Sequence, residues 1–545
     1  MRFFLQILLI SIAANVFAQK SDRPNIIYIM SDDHALQAIS AYGHPVSDIA
    51  PTHNIDRIAK EGIKFDQSFV TNSLCGPSRA TMLTGKYSHK NGFKTNSDQF
   101  DAGQQTWISI LQKQGYTTGV IGKWHLKSTP QGFDHWNILN DQGEYFNPDF
   151  ISGEDTTYVE GYTTDLITDY SLEWMEEQKN ADKPFALLIH HKAPHRNWMP
   201  PIRYANEFDN VEFPVPDNYF DDYEGRQAAA EQEMNIYKDA QEGHDLKMSV
   251  AVGSDEWRKD IWPHLFNRLT DVQKEAWHNA YREKNDKMNA ANMDDKEMAL
   301  WKYQRYLQDY CATVKAVDEN VGRVLDYLEE NGLAENTIIV YTSDQGFYLG
   351  EHGWFDKRFM YEESFKTPLV MRYPKEIKAG KTTQAMVQNI DYGPTFLDYA
   401  GVEVPEDMQG TSLREVAKKG KTPKDWRKSV YYHYYEYPGF HKVKRQYGVR
   451  TDDYKLIHFY NNIDTYEFYD LKKDPSEMNN LIDDPKYQDK IEELRVELAR
   501  LMKEADEPPY EEWKDTDYRK QARKRKMREK KLREQQLKKQ QLQNK

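Results

Sequence analysis

The 545-residue chain predicts an α/β protein: a large, mostly parallel mixed sheet flanked by helices, followed by a smaller C-terminal antiparallel sheet and a helix. Two observations carry this prediction. Apolar runs of strand length alternate with helical segments and end in polar residues, the pattern of buried parallel strands. After about Val404 the texture changes to short aromatic and β-branched runs separated by turn residues, which suits antiparallel pairing.

Taken in order, Asn25 to Met30 is an apolar strand running into Ser31-Asp32-Asp33-His34. Asn54 to Glu61 and Gln104 to Gly115 read as helices. Thr117 to Ile121 is a strand entering Gly122-Lys123-Trp124-His125, and Lys183 to His190 another entering His191-Lys192-Ala193-Pro194-His195. From Ile202 to Met298 the chain is polar, acidic and helix-prone, an insertion expected to cap the main sheet. Trp301 to Asn331 is one long helix. Thr337 to Thr342 is a buried strand entering Ser343-Asp344-Gln345-Gly346, Pro368 to Tyr373 a further strand, and Asp391 to Gly401 a helix. The C-terminal strands are Ser429 to Tyr437, Tyr447 to Thr451, Tyr454 to Tyr460 and Glu467 to Asp470, with a helix from Pro485 to Ala505. The expected organisation is a leader at 1–18, a main domain at 19–403 with its insertion at 202–298, a C-terminal α+β subdomain at 404–510 and a basic tail at 511–545.

A 39% hydrophobic and 13% aromatic content suffices for a packed core, and the Tyr and Trp excess suits a surface that handles polar rings. Arg2, the apolar run Phe3 to Ile12 and the small residues closing at Ala18 form a secretory signal peptide, too short to span a bilayer. Export to the periplasm or beyond is expected, with no membrane span. Net charge is −14, yet the tail from Arg519 to Lys545 carries 13 Lys/Arg and 2 Glu, so the rest is more acidic still. An acidic body argues against nucleic acid, and the tail reads as a solvated, frayed segment. The two cysteines, Cys75 and Cys311, are not expected to form a bridge.

The strand ends carry the chemistry. Asp32, Asp33, Asp344 and Gln345 supply four oxygen ligands, suited to a hard cation, Ca²⁺ before Mg²⁺. One Asp at a strand end is most often a helix N-cap; two acid-rich ends in one sheet point to a metal. Arg79, Lys123, Lys357, His125 and His195, all at strand or helix ends, would converge on a tetrahedral oxyanion. In Cys75-Gly76-Pro77-Ser78-Arg79, Pro77 suits the first helical position and Gly85 the helix end, which places Cys75 at a positive helix terminus.

Cys75-x-Pro77-Ser78-Arg79 followed by Leu83-Thr84-Gly85 resembles the signature of the formylglycine-dependent sulfatases of the alkaline phosphatase superfamily. The likeness extends to Asp32-Asp33, Gly122-Lys123-Trp124-His125, Pro194-His195, Asp344-Gln345-Gly346 and Lys357. It implies an alkaline phosphatase-like fold in which a separate maturing enzyme oxidises Cys75 to formylglycine (3-oxoalanine), whose hydrate is the nucleophile. It further implies a cation on Asp32, Asp33, residue 75, Asp344 and Gln345, with Arg79 stabilising the ionised diol and Lys123 and Lys357 neutralising the sulfate oxygens. His195 would protonate the leaving oxygen, and His125 would take the diol proton so that the sulfated diol collapses to the aldehyde. Gln345 stands where many members have Asn and offers the same amide oxygen on a longer arm. The stretches His191 to Trp198, Trp354 to Arg358 and His433 to His441 resemble bacterial carbohydrate sulfatases described as N-acetylglucosamine-6-sulfatases, and relatives acting on algal ulvan. Asp356, Arg358 and His441 are the candidates for sugar hydroxyls. The expected activity is exo-acting hydrolysis of sulfated oligosaccharides. The rivals are a phosphatase or phosphonate hydrolase of the same superfamily, and a non-catalytic sulfated-glycan binder should Cys75 stay unconverted.

Overall fold

The structure, a computed structural model, describes residues 23–248 and 268–509. The leader at 1–18 and the tail at 511–545 lie outside the described residues. Ten strands form the main sheet: β1 (Asn25–Ser31), β2 (Ile63–Phe65), β4 (Thr117–Gly122), β5 (His135–Leu139), β6 (Asp149–Ser152), β7 (Asp155–Tyr158), β8 (Phe185–His190), β9 (Thr337–Ser343), β10 (Leu369–Arg372) and β11 (Lys381–Thr383). β3 (Ser68–Phe69) and β12 (Val387–Gln388) pair separately. The main order is β11-β2-β10-β9-β1-β8-β4-β5-β6-β7. Its centre, β9-β1-β8-β4-β5, is parallel throughout.

These central strands are apolar along their whole length because both faces are covered: Ile26, Tyr28 and Met30 enter one core cluster and Ile27 and Ile29 the other. The register aligns the strand ends. Ser31 pairs with Ser343, Met30 with His190, and Gly122 with His190. Asp32, Asp344, Lys123 and His191 therefore leave the sheet at one edge, the carboxyl edge where α/β proteins bind ligands.

A second, antiparallel sheet of β13 (Ser429–Tyr434), β14 (Gln446–Thr451), β15 (Tyr454–Phe459) and β16 (Thr465–Asp470) packs against the helix Gln488–Glu504. Both sheets agree with the expected fold class. Between 202 and 298 no strand forms among the described residues, and Phe208, Phe213, Leu246 and Met248 pack with Trp198, Phe347 and Phe355 over the carboxyl-edge loops. Among the described residues no helix is long and apolar enough to cross a membrane. Cys75 and Cys311 are both free and buried.

Several local expectations are corrected. Pro77 is the third helical residue, since the helix runs Cys75–Thr84; its missing N–H still falls among the amides left free in a first turn. Gly85 ends it as expected, at φ 65°. The long helix starts at Asp295, six residues before Trp301, because Asp294 and Glu297 form a capping box. β10 lies in the sheet but runs antiparallel to β9. β5, β6 and β7 have no counterpart in the sequence reading: they are half-buried to exposed and carry no apolar run. The helix Thr163–Gln178 escaped too, because much of its buried face is Thr163, Thr164, Thr168 and Ser171.

The C-terminal sheet is tied through β16 to the loop that carries Tyr361 by buried polar groups. Tyr361 and Tyr469 donate to Glu467 at 2.7 and 2.8 Å, and burial pushes this carboxyl up to about 7. A carboxyl whose folded pKa is raised adds stability that is fully present below its unfolded pKa, near 4.5, and lost as pH rises through about 7. Glu467→Gln removes that dependence. Relative to the variant, the wild type gains about 3 kcal/mol on going from pH 8 to pH 4.5, read from urea midpoints at the two pH values.

Candidate active site

Strand geometry and one long side chain build the acidic edge. Asp33 follows β1 at φ 65°, a conformation that Asp tolerates better than most residues. Tyr310, from the helix Asp295–Glu330, secures this turn: its hydroxyl donates to the Asp33 carbonyl at 2.7 Å and accepts the Ala35 N–H at 2.8 Å. The Asp33 N–H donates to Asp344 Oδ1 at 3.0 Å, tying the two strand ends together. Gly346 lets the next loop pass: a Cβ there would lie 2.1 Å from the Glu363 carbonyl oxygen and 2.2 Å from that of Lys366.

Asp32, Asp33, Asp344 and Gln345 are all buried. Gln345 Nε2 donates to Asp33 Oδ1, while Gln345 Oε1 and Asp32 Oδ1 are buried acceptors with no hydrogen-bond partner. Two orphaned oxygens beside three carboxylates are costly unless a cation shares them, so the donor set fits a hard divalent ion. Ligand atoms of Asp32, Asp33, Cys75 and His195 lie within 4.8 Å of one another, which extends the same group to residue 75.

Three cations balance the three carboxylates. Lys123 Nζ donates to Asp32 Oδ2. Lys357 Nζ donates to both oxygens of Asp33, at 2.5 and 2.8 Å, and lies 3.4 Å from Cys75 Sγ. Arg79 Nε donates to Asp344 Oδ2 at 3.0 Å and Nη1 to the Lys123 carbonyl at 2.8 Å, while Nη2 has no hydrogen-bond partner. Burial works against the Lys357 charge, yet Asp33 and its neighbours hold this ammonium above the usual lysine range.

Cys75 opens its helix with no side-chain cap, and its Sγ lies 3.9 Å from Asp33 Oδ1. The Gly76 N–H donates to Asn96 Oδ1 at 3.0 Å, and a Cβ on Gly76 would lie 2.4 Å from the Phe93 ring, so the chain beside Cys75 is held from both sides. Burial pushes the Cys75 thiol far above its ordinary range despite Lys357. A thiol that stays protonated is a poor nucleophile.

The two histidines flank this centre. His195 Nδ1–H donates to the Arg196 carbonyl at 2.7 Å, which leaves Nε2 facing inward, 3.8 Å from Asp33 Oδ2. Burial, then Lys123, Lys192 and Lys357, pull its pKa well below the usual range. Burial and Lys123, Arg79, Lys127 and Lys357 do the same to His125, which is neutral at pH 7.

Outside the centre is a cavity of about 1290 Å³ onto which Cys75, His125, His195 and Lys357 open. Asp356 and Arg358 line it, both with left-handed backbones (φ 77° and 95°), and pair at 2.7 Å. His441 Nε2 lies 3.4 Å from Asp356 Oδ2, so the three candidate sugar-binding residues do meet. Burial alone would raise the Asp356 carboxyl, but Arg358, His441 and Lys357 hold it well below the usual carboxylate range. Arg358 Nη1 is buried without a hydrogen-bond partner. The sequence reading placed Arg196 in a sugar-binding stretch without giving it a role, and passed over Asp245: Asp245 takes Arg196 in a bidentate pair at 2.7 and 2.6 Å, and Arg196 packs over Phe355 and Phe440. Asp245 carried no local signal, since nothing in the insertion marks which acid turns inward. Gln142 was missed as well; its Oε1 accepts from Lys123 Nζ and its Nε2 lies 2.8 Å from His125 Nε2.

Paired carboxylates and converging cations at the carboxyl edge of a parallel sheet suit an α/β enzyme that acts on oxyanion esters. Residues 24–402 match the family described as sulfatase, and residues 350–504 the C-terminal family of N-sulphoglucosamine sulphohydrolase. The chain belongs to the sulfatase family and is a sulfuric ester hydrolase. It is 52% identical over 499 residues to an N-acetylglucosamine-6-O-sulfatase of Bacteroides thetaiotaomicron, covering 90% of this chain and 88% of that protein. The solved structure of BT4656 in complex with its substrate D-glucosamine-2-N,6-O-disulfate superposes with a TM-score of 0.87 at 51% identity, covering 91% of this chain and all of the other. The phosphonate monoester hydrolase of Agrobacterium radiobacter, at 20% identity and a TM-score of 0.64, shares the fold; the match covers 89% of this chain and 96% of that one.

Proposed function

We propose that this sulfatase removes the 6-O-sulfate of an N-acetylglucosamine or glucosamine unit at the end of a sulfated oligosaccharide, through a hydrated formylglycine at residue 75. The observation that carries the nucleophile is the setting of Cys75: an uncapped helix start, a Lys357 ammonium 3.4 Å away, and burial that leaves a thiol inert. The sugar rests on the 52% identical relative and on the substrate of the solved neighbour. The cavity exceeds a typical small-molecule pocket of roughly 300–1,000 Å³, which suits a sugar still attached to its chain.

A Ca²⁺ on Asp32, Asp33, Asp344 and Gln345 would polarise the ester and lower the pKa of the diol. The chain's own groups do the rest. Arg79 steadies the ionised diol, and Lys123 and Lys357 meet the sulfate oxygens as charge grows in transfer. His195, held through Nδ1, gives a proton from Nε2 to the departing sugar oxygen. Burial and then the surrounding cations hold its pKa low, and an anionic ester entering between those cations offsets their share and favours the protonated ring. His125, neutral in the free enzyme, accepts the diol proton so that the sulfated intermediate eliminates sulfate. A separate maturing enzyme and export through the leader belong to the same proposal.

The test is sulfate release from defined sulfated mono- and oligosaccharides, with mass spectrometry of the Cys75 peptide. Release from 6-sulfated glucosamine units with formylglycine present supports the reading. A preference for ulvan fragments overturns the sugar, a preference for phosphate or phosphonate esters overturns the ester class, and a persistent thiol after co-expression with a maturing enzyme overturns the nucleophile. His195→Ala adds a check on the acid: the loss of kcat is at least tenfold larger for the sugar sulfate than for an activated aryl sulfate, whose leaving group needs no proton.

A further inference from the structure

Gln142 stands on a turn built to hold it. β5 ends at Leu139, and Asn140 to Gly143 reverse the chain with a hydrogen bond from the Gly143 N–H to the Asn140 carbonyl at 2.9 Å. Asp141 and Gly143 take left-handed backbones, φ 53° and 69°. β5 pairs in parallel with β4, Gly122 opposite Ile138, so this turn comes back over the end of β4, where Lys123 and His125 emerge. The Gln142 amide bridges them: its oxygen accepts from the Lys123 ammonium and its nitrogen lies 2.8 Å from His125 Nε2.

The bridge has one consistent proton arrangement. An ammonium only donates, so the amide oxygen must face Lys123, and the NH₂ then faces His125. His125 Nε2 is therefore the acceptor, and the ring proton sits on Nδ1, which is buried with no hydrogen-bond partner in the protein. In this state His125 cannot take a proton through Nδ1. An amide turned by half a revolution would accept from Nε2–H and move the lone pair to Nδ1, but only once the Lys123 ammonium has left the amide oxygen for an anionic oxygen.

We propose that Gln142 is a positioning residue that couples the occupancy of Lys123 to the tautomer, and hence the basicity, of His125. A sulfate ester that draws the Lys123 ammonium onto its own oxygens frees the Gln142 amide to turn. His125 becomes a base at Nδ1 only when sulfate is present. The tautomer change breaks the Nδ1–H bond and forms the Nε2–H bond, the one proton being carried between the ring nitrogens by water entering from the cavity that His125 lines. The inference rests on the formylglycine reading above. Burial, then Lys123, Arg79, Lys127 and Lys357, lower the His125 pKa, and the one carboxylate facing it among the described residues is Asp141, 3.9 Å from Nε2.

The test uses the full-length matured enzyme with Gln142→Leu and Gln142→Glu, assayed on a 6-sulfated glucosamine oligosaccharide. Gln142→Leu lowers kcat by about ten- to a hundredfold, the span of a mispositioned general base, with KM changed less than threefold, and quenched samples accumulate sulfated enzyme by intact mass. Gln142→Glu accepts from both neighbours, raises the His125 pKa and moves the acid limb of the kcat profile to higher pH. An unchanged kcat in Gln142→Leu, or losses of kcat without sulfated enzyme and with an unmoved acid limb in Gln142→Glu, overturns the inference. Circular dichroism and thermal midpoints of both variants separate misfolding from these outcomes. If matured wild type releases no sulfate, the formylglycine reading fails instead.

Discussion

Cys75→Ala folds and releases no sulfate. Turnover falls by at least about four orders of magnitude, because the remaining site binds and polarises an ester but has nothing to attack it. The fold survives: a sulfur is removed from a buried position, a change of about 1 kcal/mol, and the Asp33–Lys357 pair beside it stays intact. Cys75→Ser is more telling. A serine hydroxyl can accept one sulfuryl group, but the sulfated serine has no second hydroxyl through which to collapse. It is expected to trap about one sulfate per chain and then stop, read by intact mass. Repeated turnover by either variant would refute residue 75 as the nucleophile precursor.

The second large effect is at Asp344. Its carboxylate takes Arg79 through Oδ2 at 3.0 Å and the Asp33 N–H through Oδ1 at 3.0 Å, and it is fully buried. Asp344→Asn keeps the amide oxygen for the Asp33 N–H but takes from Arg79 its nearer charge partner, leaving only Asp32 at 3.8 Å. A buried charge stripped of every partner costs about 3–5 kcal/mol; with Asp32 still facing Arg79, a smaller fall in urea-derived stability, of about 1–3 kcal/mol, is expected. On the proposed roles activity falls further than stability, by three or more orders of magnitude, because the cation would lose a carboxylate and the diol its positioned Arg79. Incubation with a chelator should mimic the loss of activity and be reversed by Ca²⁺. Full activity after metal removal would refute the metal-assisted reading of the carboxylates.

What was legible in the sequence follows from burial. β1, β4, β8 and β9 were readable because strands covered on both faces must be apolar throughout, and the residues that follow them must be polar to face a ligand. The same logic exposed Asp32, Asp33, Lys123, His125, Asp344 and Gln345, each just past an apolar run, and the structure brings all of them to one edge. β5, β6 and β7 were silent because half-exposed strands need no such run.

Residue identity and local order therefore determined the fold class and which polar residues stand just past the strand ends and at the start of the Cys75 helix. Only the tertiary structure decided which distant groups meet. Arg196 and Asp245 are 49 residues apart, and neither the bidentate pair nor the side of the cavity it braces could be read from their neighbours. Gln142 gains its meaning solely from the parallel pairing of β4 with β5, which lays the turn after one strand over the end of the other. The physical reason is that backbone pattern is set by burial along each segment, whereas hydrogen-bond partners are set by sheet register and loop return, which no single segment encodes.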